Sequence, residues 1–321
     1  MPLGKKCTLI YRINIVDTIT KSLNQSNLCY IQDIVFRDMV HGGGLNMKFI
    51  VEKEWVLKNL NQRDVRMIDC RFALANPELG KLEYDQNHIS GAVYFDLEKD
   101  LSGQVGIHGG RHPLPDINEL KEKLEMAGID QDTTLVAYDN GEGAYAARFW
   151  WMLSYLGHKK VYVLDGGYKN WTKANYPTTA DVPVFEKLDF QIDLQPDLLA
   201  DIKEVQEVVS GSYPNIVLID SRENKRYLGI EEPIDKKKGH IPGAINKPWM
   251  EGLHEGYYHS VENQKERFSD IDPDKELIVY CGSGVTAVPN FLALKEAGFE
   301  HVKLYLGSFS DWISYEDNEI K

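Results

Sequence analysis

The residues with the clearest chemical potential form a short glycine-rich loop around one cysteine. Cys281 follows the apolar run 276–280 and opens the sequence CGSGVTA, which leads into a helix-like segment at 288–297. A thiol at a strand end and a helix N-terminus lies near backbone N–H groups and the positive end of the helix dipole, which favours an anionic sulfur. We therefore expect Cys281 to be a nucleophile. The alternative is a buried structural thiol, which Gly282 and Gly284 disfavour because they leave room for a substrate.

Length and composition limit the remaining possibilities. The 321 residues, 43% of them hydrophobic, are enough for two ordinary domains. The net charge of -13 argues against a nucleic-acid surface. No apolar run is long enough to span a bilayer, the first residues lack a secretory signal, and the four cysteines lack zinc or dithiol spacing. We expect a cytoplasmic protein that binds no membrane, no metal and, since no nucleotide or flavin motif is present, no cofactor.

The chain also repeats itself, which organises the other motifs. Four pairs of segments match in order: MIDCR (67–71) with LIDSR (218–222), NHISGA (87–92) with GHIPGA (239–244), LVAYD (135–139) with LIVYC (277–281), and LDGGY (164–168) with YLGSF (305–309). Two copies of one domain therefore stand in tandem. Asp139 occupies, in the first copy, the place that Cys281 has in the second.

Apolar runs alternate with helix-length segments in both copies. A helix is predicted over 116–127, ending at Gly128, and strands are predicted at 216–219, 277–280 and 302–306. This alternation indicates parallel sheets with helices on both faces and sites at the carboxyl ends of the strands. The sequence predicts an N-terminal extension (1–46), a first domain (47–178), a linker (179–198) and a second domain (199–321). The extension is assigned no function; a disordered tail and a misassigned start are the two alternatives for it.

Together the repeated HISGA and HIPGA segments, the Asp-x-Arg strand ends and the CGSGVTA loop resemble tandem-domain rhodanese-like sulfurtransferases, in particular the 3-mercaptopyruvate and thiosulfate sulfurtransferases. The resemblance covers roughly residues 48–315. It implies an α/β protein of two rhodanese-like domains, each a mostly parallel sheet flanked by helices on both faces. It also implies that the second domain is catalytic and that the first has lost its nucleophile at Asp139.

The same resemblance implies covalent sulfur transfer. Cys281 would take sulfur from a small-molecule donor as a persulfide and pass it to cyanide or to a thiol such as glutathione or thioredoxin. The loop CGSGVT is similar to that of 3-mercaptopyruvate enzymes, whereas thiosulfate enzymes carry a basic residue where Gly282 stands. The alternatives are a thiosulfate:cyanide sulfurtransferase using the same persulfide and a non-catalytic sulfur-carrier or docking module. The residues implied to stabilise the persulfide are Gly282, Ser283, Gly284, Val285 and Thr286.

Four further side chains are candidates for the donor site. Ser283 is expected to polarise the donor carbonyl, with satisfaction of its own loop as the alternative. Arg226 is implied to bind the donor carboxylate, with a surface ion pair as the alternative. The second arginine of mercaptopyruvate enzymes is missing, and Lys236, in the run DKKK, is expected to supply its charge unless that run is a solvated loop. His88 is implied to face the donor from the domain cleft.

Other motif residues have simpler expectations. Asp69 and Asp220 are expected to bond loop N–H groups at their strand ends, with Arg71 and Arg222 as buried partners. His240 is expected to stabilise a turn, and Arg111 and His112 are expected to line the cleft between the domains. A cysteine-dependent phosphatase is disfavoured because its loop must close with an arginine, and Ala287 stands there.

Overall fold

The computed structural model describes residues 47–321, so the predicted extension 1–46, with Cys7 and Cys29, lies outside the described residues. Two five-stranded sheets, each with all of its strands parallel, form the described part of the chain. Helices pack against both sheets. The predicted α/β class with tandem parallel sheets is confirmed. None of the helices between residues 47 and 321 is long and apolar enough to cross a membrane.

The strands are short, as expected for apolar runs bounded by turn residues. In chain order they are β1 (Ile50–Val51), β2 (Val65–Asp69), β3 (His88–Ile89), β4 (Val93–Tyr94), β5 (Thr134–Tyr138), β6 (Val161–Leu164), β7 (Thr178–Thr179), β8 (Leu199–Ala200), β9 (Ile216–Asp220), β10 (Ile245–Asn246), β11 (Leu253–His254), β12 (Tyr257–Tyr258), β13 (Glu276–Tyr280) and β14 (Val302–Tyr305). The pairs β3–β7 and β11–β12 form separate two-stranded antiparallel ribbons.

The helices alternate with these strands. They are α1 (Lys53–Asn59), α2 (Leu79–Gln86), α3 (Ile117–Met126), α4 (Ala144–Tyr155), α5 (Gly167–Lys173), α6 (Ile202–Val209), α7 (Asn224–Tyr227), α8 (Val261–Arg267), α9 (Val288–Ala297) and α10 (Ser308–Trp312), with 3₁₀ turns at Pro196–Leu198 and Trp249–Gly252.

Two helices show how local sequence sets their bounds. The carboxylate of Asp116 caps α3 by accepting the N–H groups of Asn118 and Glu119, at 2.8 and 3.3 Å. The helix stops before Gly128, whose φ of +66° favours glycine. Helix α9 ends in the same way at Gly298, with φ +103°. The predicted helix over 116–127 is therefore confirmed, apart from its capping residues.

The two sheets have the same strand order. The first runs β1-β6-β5-β2-β4 and the second β8-β14-β13-β9-β10, so β5 and β13 are the equivalent middle strands. Every residue of β5 is buried, and in β13 only Glu276 is exposed. Asp139 and Cys281, the residues that follow these two strands, therefore stand at the carboxyl edge of their sheets, where parallel α/β folds place their sites.

Buried ion pairs fix the neighbouring strand ends. Arg71 Nη2 lies 2.7 Å from Asp69 Oδ2, and Arg222 Nη2 lies 2.6 Å from Asp220 Oδ2. Each aspartate also accepts the backbone N–H of its arginine, at 3.0 and 2.9 Å. The structural role expected for these pairs is confirmed in both copies. They hold the loops after β2 and β9 in place beside the middle strands.

The two sheet domains are joined by hydrogen bonds to buried carboxylates. Asp165, after β6, accepts the backbone N–H of Tyr258 at 2.9 Å. Glu296, on α9, accepts the N–H groups of Lys48 and Phe49 at 2.8 and 2.6 Å. Residues 180–195, within the predicted linker, contain no helix or strand. The domains therefore share a hydrogen-bonded boundary, and the site lies along it.

Candidate active site

The Cys281 loop begins directly at the end of the middle strand of the second sheet. Cys281 is only 1% exposed, and its backbone N–H donates to Ser308 Oγ at 3.1 Å. The same hydroxyl lies 4.0 Å from the Cys281 sulfur. Ser308 begins α10 with a φ of +55°, so its backbone is held in the left-handed region next to the thiol.

Gly284 is required by the packing of this loop. Its φ is +73°, and a Cβ at this position would lie 2.2 Å from the carbonyl oxygen of Leu306. No side chain fits there without moving backbone. The glycine that the sequence pattern singles out therefore lets the loop pack closely against the chain before α10.

The equivalent loop of the first domain holds a negative charge. The carboxylate of Asp139 accepts the backbone N–H groups of Gly141 and Gly143, each at 2.9 Å. It also accepts those of Tyr145 and Ala146, at 3.1 and 3.2 Å. Four convergent N–H groups form an anion-binding nest. This fold can therefore concentrate backbone donors on an anion at the position that follows the middle strand.

Two arginines meet at Gly282, one from each domain. A Cβ on Gly282 would lie 2.8 Å from Arg111 Nη2 and 3.4 Å from Arg226 Nη2. Both guanidinium groups bind the carboxylate of Asp235, whose side chain is 1% exposed; the Arg226 Nη2 to Oδ2 distance is 2.9 Å, and Arg111 Nη1 bonds the other oxygen. Burial lowers the pKa of Arg111, and the nearby Cys281 opposes that shift. The glycine after the cysteine thus makes room for two cations.

A second buried carboxylate orients Arg226. Glu232 accepts from Arg226 Nε at 3.0 Å and from its Nη2 at 2.7 Å, which is a bidentate pair. The same carboxylate bonds Arg222 Nη1 at 3.1 Å. Arg226 forms ion pairs, as the alternative interpretation expects, but they lie beside the cysteine loop and its side chain is largely buried.

On the other side of the loop, Ser283 pairs with a histidine from the first domain. The Ser283 Oγ to His112 Nδ1 distance is 2.9 Å, and both side chains are buried. Burial, together with the nearby cations of Arg148 and Arg111, lowers the pKa of His112 to about 4. The imidazole is therefore neutral at pH 7, and its ring nitrogen can exchange a hydrogen bond with the serine hydroxyl.

Comparison with known proteins follows the same division into two copies. Residues 52–174 and 199–315 each match the family described as rhodanese-like domain. The chain belongs to the rhodanese-like sulfurtransferase family. It is 44% identical to the probable 3-mercaptopyruvate sulfurtransferase of Pseudomonas aeruginosa over 262 residues, which is 79% of this chain and 91% of that protein. It is 32% identical to thiosulfate sulfurtransferase of Rattus norvegicus, over 82% of this chain and 91% of that protein.

Solved structures of this family share the fold. The crystal structure of SseA from Escherichia coli, described with the rhodanese fold of 3-mercaptopyruvate enzymes, superposes with a TM-score of 0.73 at 31% identity and covers 82% of this chain and 99% of its own. The 3-mercaptopyruvate sulfurtransferase of Leishmania major gives 0.70 at 27% identity, covering 82% of this chain and 73% of its own.

The structure corrects the placement expected for His88 in this rhodanese-like chain. Its ring is fully buried and stacks on Tyr84 at 4.0 Å, with Nδ1 2.7 Å from the Tyr84 carbonyl oxygen and Nε2 3.2 Å from that of Asp181. His240 does the same in the second domain, stacking on Tyr227 at 3.8 Å and bonding its carbonyl oxygen at 2.8 Å. Each histidine therefore stabilises the equivalent turn of its own domain, and His88 does not face the cysteine loop.

The run that contains Lys236 fits the alternative of a solvated loop. Lys236 is exposed, and the preceding residue, Asp235, is the one that turns into the site. The cation that lies beside Arg226 at Gly282 is Arg111, from across the domain boundary. The sequence predicts only that Arg111 and His112 line the cleft, because no local motif shows which loop of the other copy they contact. Between residues 47 and 321, no group of three His, Cys, Asp or Glu side chains is arranged to hold a metal ion.

Proposed function

We propose that this chain moves sulfur from 3-mercaptopyruvate to a thiol or to cyanide through a persulfide on Cys281. One observation carries the proposal. Three consecutive loop residues bring a buried thiol, two arginines at Gly282 and the hydrogen-bonded pair of Ser283 and His112 to one place. These are a nucleophile, cations for a carboxylate and a polar pair for a carbonyl.

The first half-reaction would transfer one sulfur atom. The Cys281 thiolate attacks the thiol sulfur of the donor, forming an S–S bond as the donor C–S bond breaks. The electron pair of that bond passes to the carbon next to the carbonyl, giving the enolate of pyruvate, which takes a proton from solvent or a nearby group. The products are pyruvate and the enzyme persulfide.

Ser283 and His112 would act on the oxygen of this enolate. A serine hydroxyl that donates to a developing oxyanion stabilises it, and a neutral histidine beside that hydroxyl keeps it oriented. The backbone N–H groups of residues 282–286 would serve the sulfur anion, as the equivalent loop does for Asp139. In the second half-reaction a thiolate or cyanide attacks the outer sulfur and releases the Cys281 thiolate. Glutathione and thioredoxin remain equal candidates for the thiol.

The charge of the pocket supports a singly charged donor. Arg111 and Arg226 face the loop, but the buried carboxylates of Asp235 and Glu232 bind them. A keto acid with one carboxylate meets less repulsion there than a dianion such as thiosulfate. Thiosulfate remains the second candidate because two arginines meet at Gly282 and because the rat relative is named for that donor.

The test is sulfur transfer to cyanide from both donors, measured as kcat/KM, with mass spectrometry for one added sulfur atom. Cys281→Ser is expected to lose transfer and sulfur loading together. Cys70→Ser is the matched control, because Cys70 is also a buried thiol after a strand and burial raises its pKa, so it stays neutral.

Each outcome has a defined meaning. A preference for 3-mercaptopyruvate supports the proposal, whereas a preference for thiosulfate replaces the donor and keeps the persulfide. Sulfur loading on Cys281 without turnover would identify a carrier. Absence of loading from either donor would overturn the proposed chemistry.

A further inference from the structure

One arginine of the first domain is buried beneath the cysteine loop without an acidic partner. Arg148, on α4, is 0% exposed. Its Nη1 donates to the carbonyl oxygen of Gly284 at 3.1 Å, and its Nη2 to those of Leu101 and His112 at 3.0 and 3.3 Å. Its Nε has no hydrogen-bond partner. The guanidinium thus contacts the Cys281 loop, Leu101 and His112 through backbone carbonyl oxygens.

A buried guanidinium is normally paired with a negative charge, because taking an unpaired ion out of water is costly. Within residues 47–321, no carboxylate forms an ion pair with Arg148, whereas the buried arginines at the strand ends, Arg71 and Arg222, each pair with two. Burial lowers the pKa of Arg148 to about 9, so it still carries its charge at neutral pH. Cys281 is the group that opposes this shift.

The nearest obvious acid on its own chain segment is already satisfied. Asp139 precedes α4 by a few residues, but its carboxylate is held by four backbone N–H groups and forms no ion pair within the described residues. One of the three bonds of the Arg148 guanidinium crosses the domain boundary, to the carbonyl oxygen of Gly284, three residues after Cys281. This bond places the cation beside the loop that carries the thiol.

We infer that Arg148 is the counter-ion of a negatively charged Cys281, supplied by the domain that has no nucleophile of its own. It is a positioning residue: it acts on the sulfur by charge and holds the Gly284 carbonyl, without contacting the donor. The inference rests on the proposed function for its chemical meaning, since the relevant anions are the thiolate and the persulfide. The charge coupling between residues 148 and 281 can be tested without any sulfur donor.

The test is a double-mutant cycle on folding stability. Cys281→Asp and Cys281→Asn differ at this position mainly in charge, and Asp139 shows that the fold accepts aspartate after the middle strand. With Arg148 present, the aspartate variant is expected to have an unfolding equilibrium constant about tenfold lower than the asparagine variant. In the Arg148→Met background this difference is expected to shrink to the part that the loop N–H groups contribute, as they do at Asp139. An equal difference in both backgrounds would overturn the inference.

Arg267→Met provides the matched control. Arg267 is likewise a largely buried arginine whose bonds go to neutral acceptors, the Pro248 carbonyl oxygen at 2.6 Å and Asn290 Oδ1 at 2.8 Å, and burial lowers its pKa to about 10. Glu251, not Cys281, opposes that shift. Removing this cation is expected to leave the difference between Asp and Asn at position 281 unchanged.

A second measurement covers the case in which Arg148→Met does not fold. Arg148→Gln removes the charge but keeps amide N–H donors for the carbonyl oxygens that the guanidinium binds. The pH dependence of Cys281 alkylation by iodoacetamide, with the other cysteines subtracted through Cys281→Ser, is expected to move to higher pH in a folded variant that lacks the charge. An alkylation profile identical to wild type in a folded variant would leave Arg148 a structural cross-link only.

Discussion

Asp139 stands at the end of β5 in the position that Cys281 has at the end of β13. One loop surrounds the carboxyl group of Asp139 with four N–H groups, and the other holds the thiol of Cys281. The Asp139 carboxylate should therefore stabilise the first domain. Asp139→Asn is expected to lower the free energy of unfolding by about 1–3 kcal/mol, since charge-assisted bonds are lost. Urea unfolding measures this, and Asp64→Asn, on an exposed site, should change it little.

Asp235 is expected to limit how strongly the site binds anions. Asp235→Asn removes a negative charge between Arg111 and Arg226, so kcat/KM should rise by about tenfold for thiosulfate and by less for 3-mercaptopyruvate. Steady-state kinetics with cyanide measures both. Glu231→Gln, a charge change at an exposed ion pair with Lys225, should leave both values unchanged. A fall with both donors would show that the carboxylate assists binding.

Ser283 and His112 are expected to matter for one donor only. Ser283→Ala should lower kcat for 3-mercaptopyruvate by about 100-fold, because its enolate oxygen loses a donor. Thiosulfate has no carbonyl and serves as the internal control. His112→Asn should have a similar effect, and the double variant should be little worse than either single one, because the two side chains act as a unit. Equal losses with both donors would point to damage of the loop itself.

His88 is expected to affect stability and not turnover. His88→Asn removes a buried ring stacked on Tyr84, so the free energy of unfolding should fall by about 1–3 kcal/mol. The value of kcat/KM per folded molecule should stay within about twofold of wild type. His240→Asn, at the repeated turn, is the matched comparison. A large kinetic loss confined to His88→Asn would restore the donor-facing role.

Asp165 gives the boundary between the domains a pH dependence. Burial raises the pKa of the Asp165 carboxyl to about 7. In the unfolded chain this carboxyl has an ordinary pKa near 4, so between these pH values the folded protein holds a proton that the unfolded chain has released. The free energy of unfolding of wild type, relative to that of Asp165→Asn, is therefore highest at low pH and falls as the pH rises from about 4 through 7. Urea unfolding of both proteins across this range tests the sign. A difference that grows with pH would contradict it.

Much of the fold could be predicted from the sequence because its signals are local. Asp116, Gly128 and the apolar run before Cys281 each act on their own segment, and the structure has α3 and β13 where those residues indicate. The repeat located the equivalent positions of Asp139 and Cys281 in the same way. These local signals do not depend on contacts with distant parts of the chain.

The rest of the site depends on contacts between the copies. Arg111 and Arg148 reach the Cys281 loop only after the domains pack together, and nothing in their neighbouring residues distinguishes them from other arginines. Lys236 was favoured because a basic residue fits an anionic donor, but the turn of the loop directs Asp235 inward. Side-chain direction in an irregular loop is set by packing that the sequence pattern does not encode.

The boundary between the two domains has a consequence for how this protein can change over generations. A repeat that carries Asp139 in place of the cysteine could change freely if it stood alone. Here Arg111, His112 and Arg148 reach from that repeat to the loop that carries Cys281. Deletion, exchange or independent drift of the first copy would therefore alter the surroundings of Cys281 in the second. The two copies are expected to change together over generations.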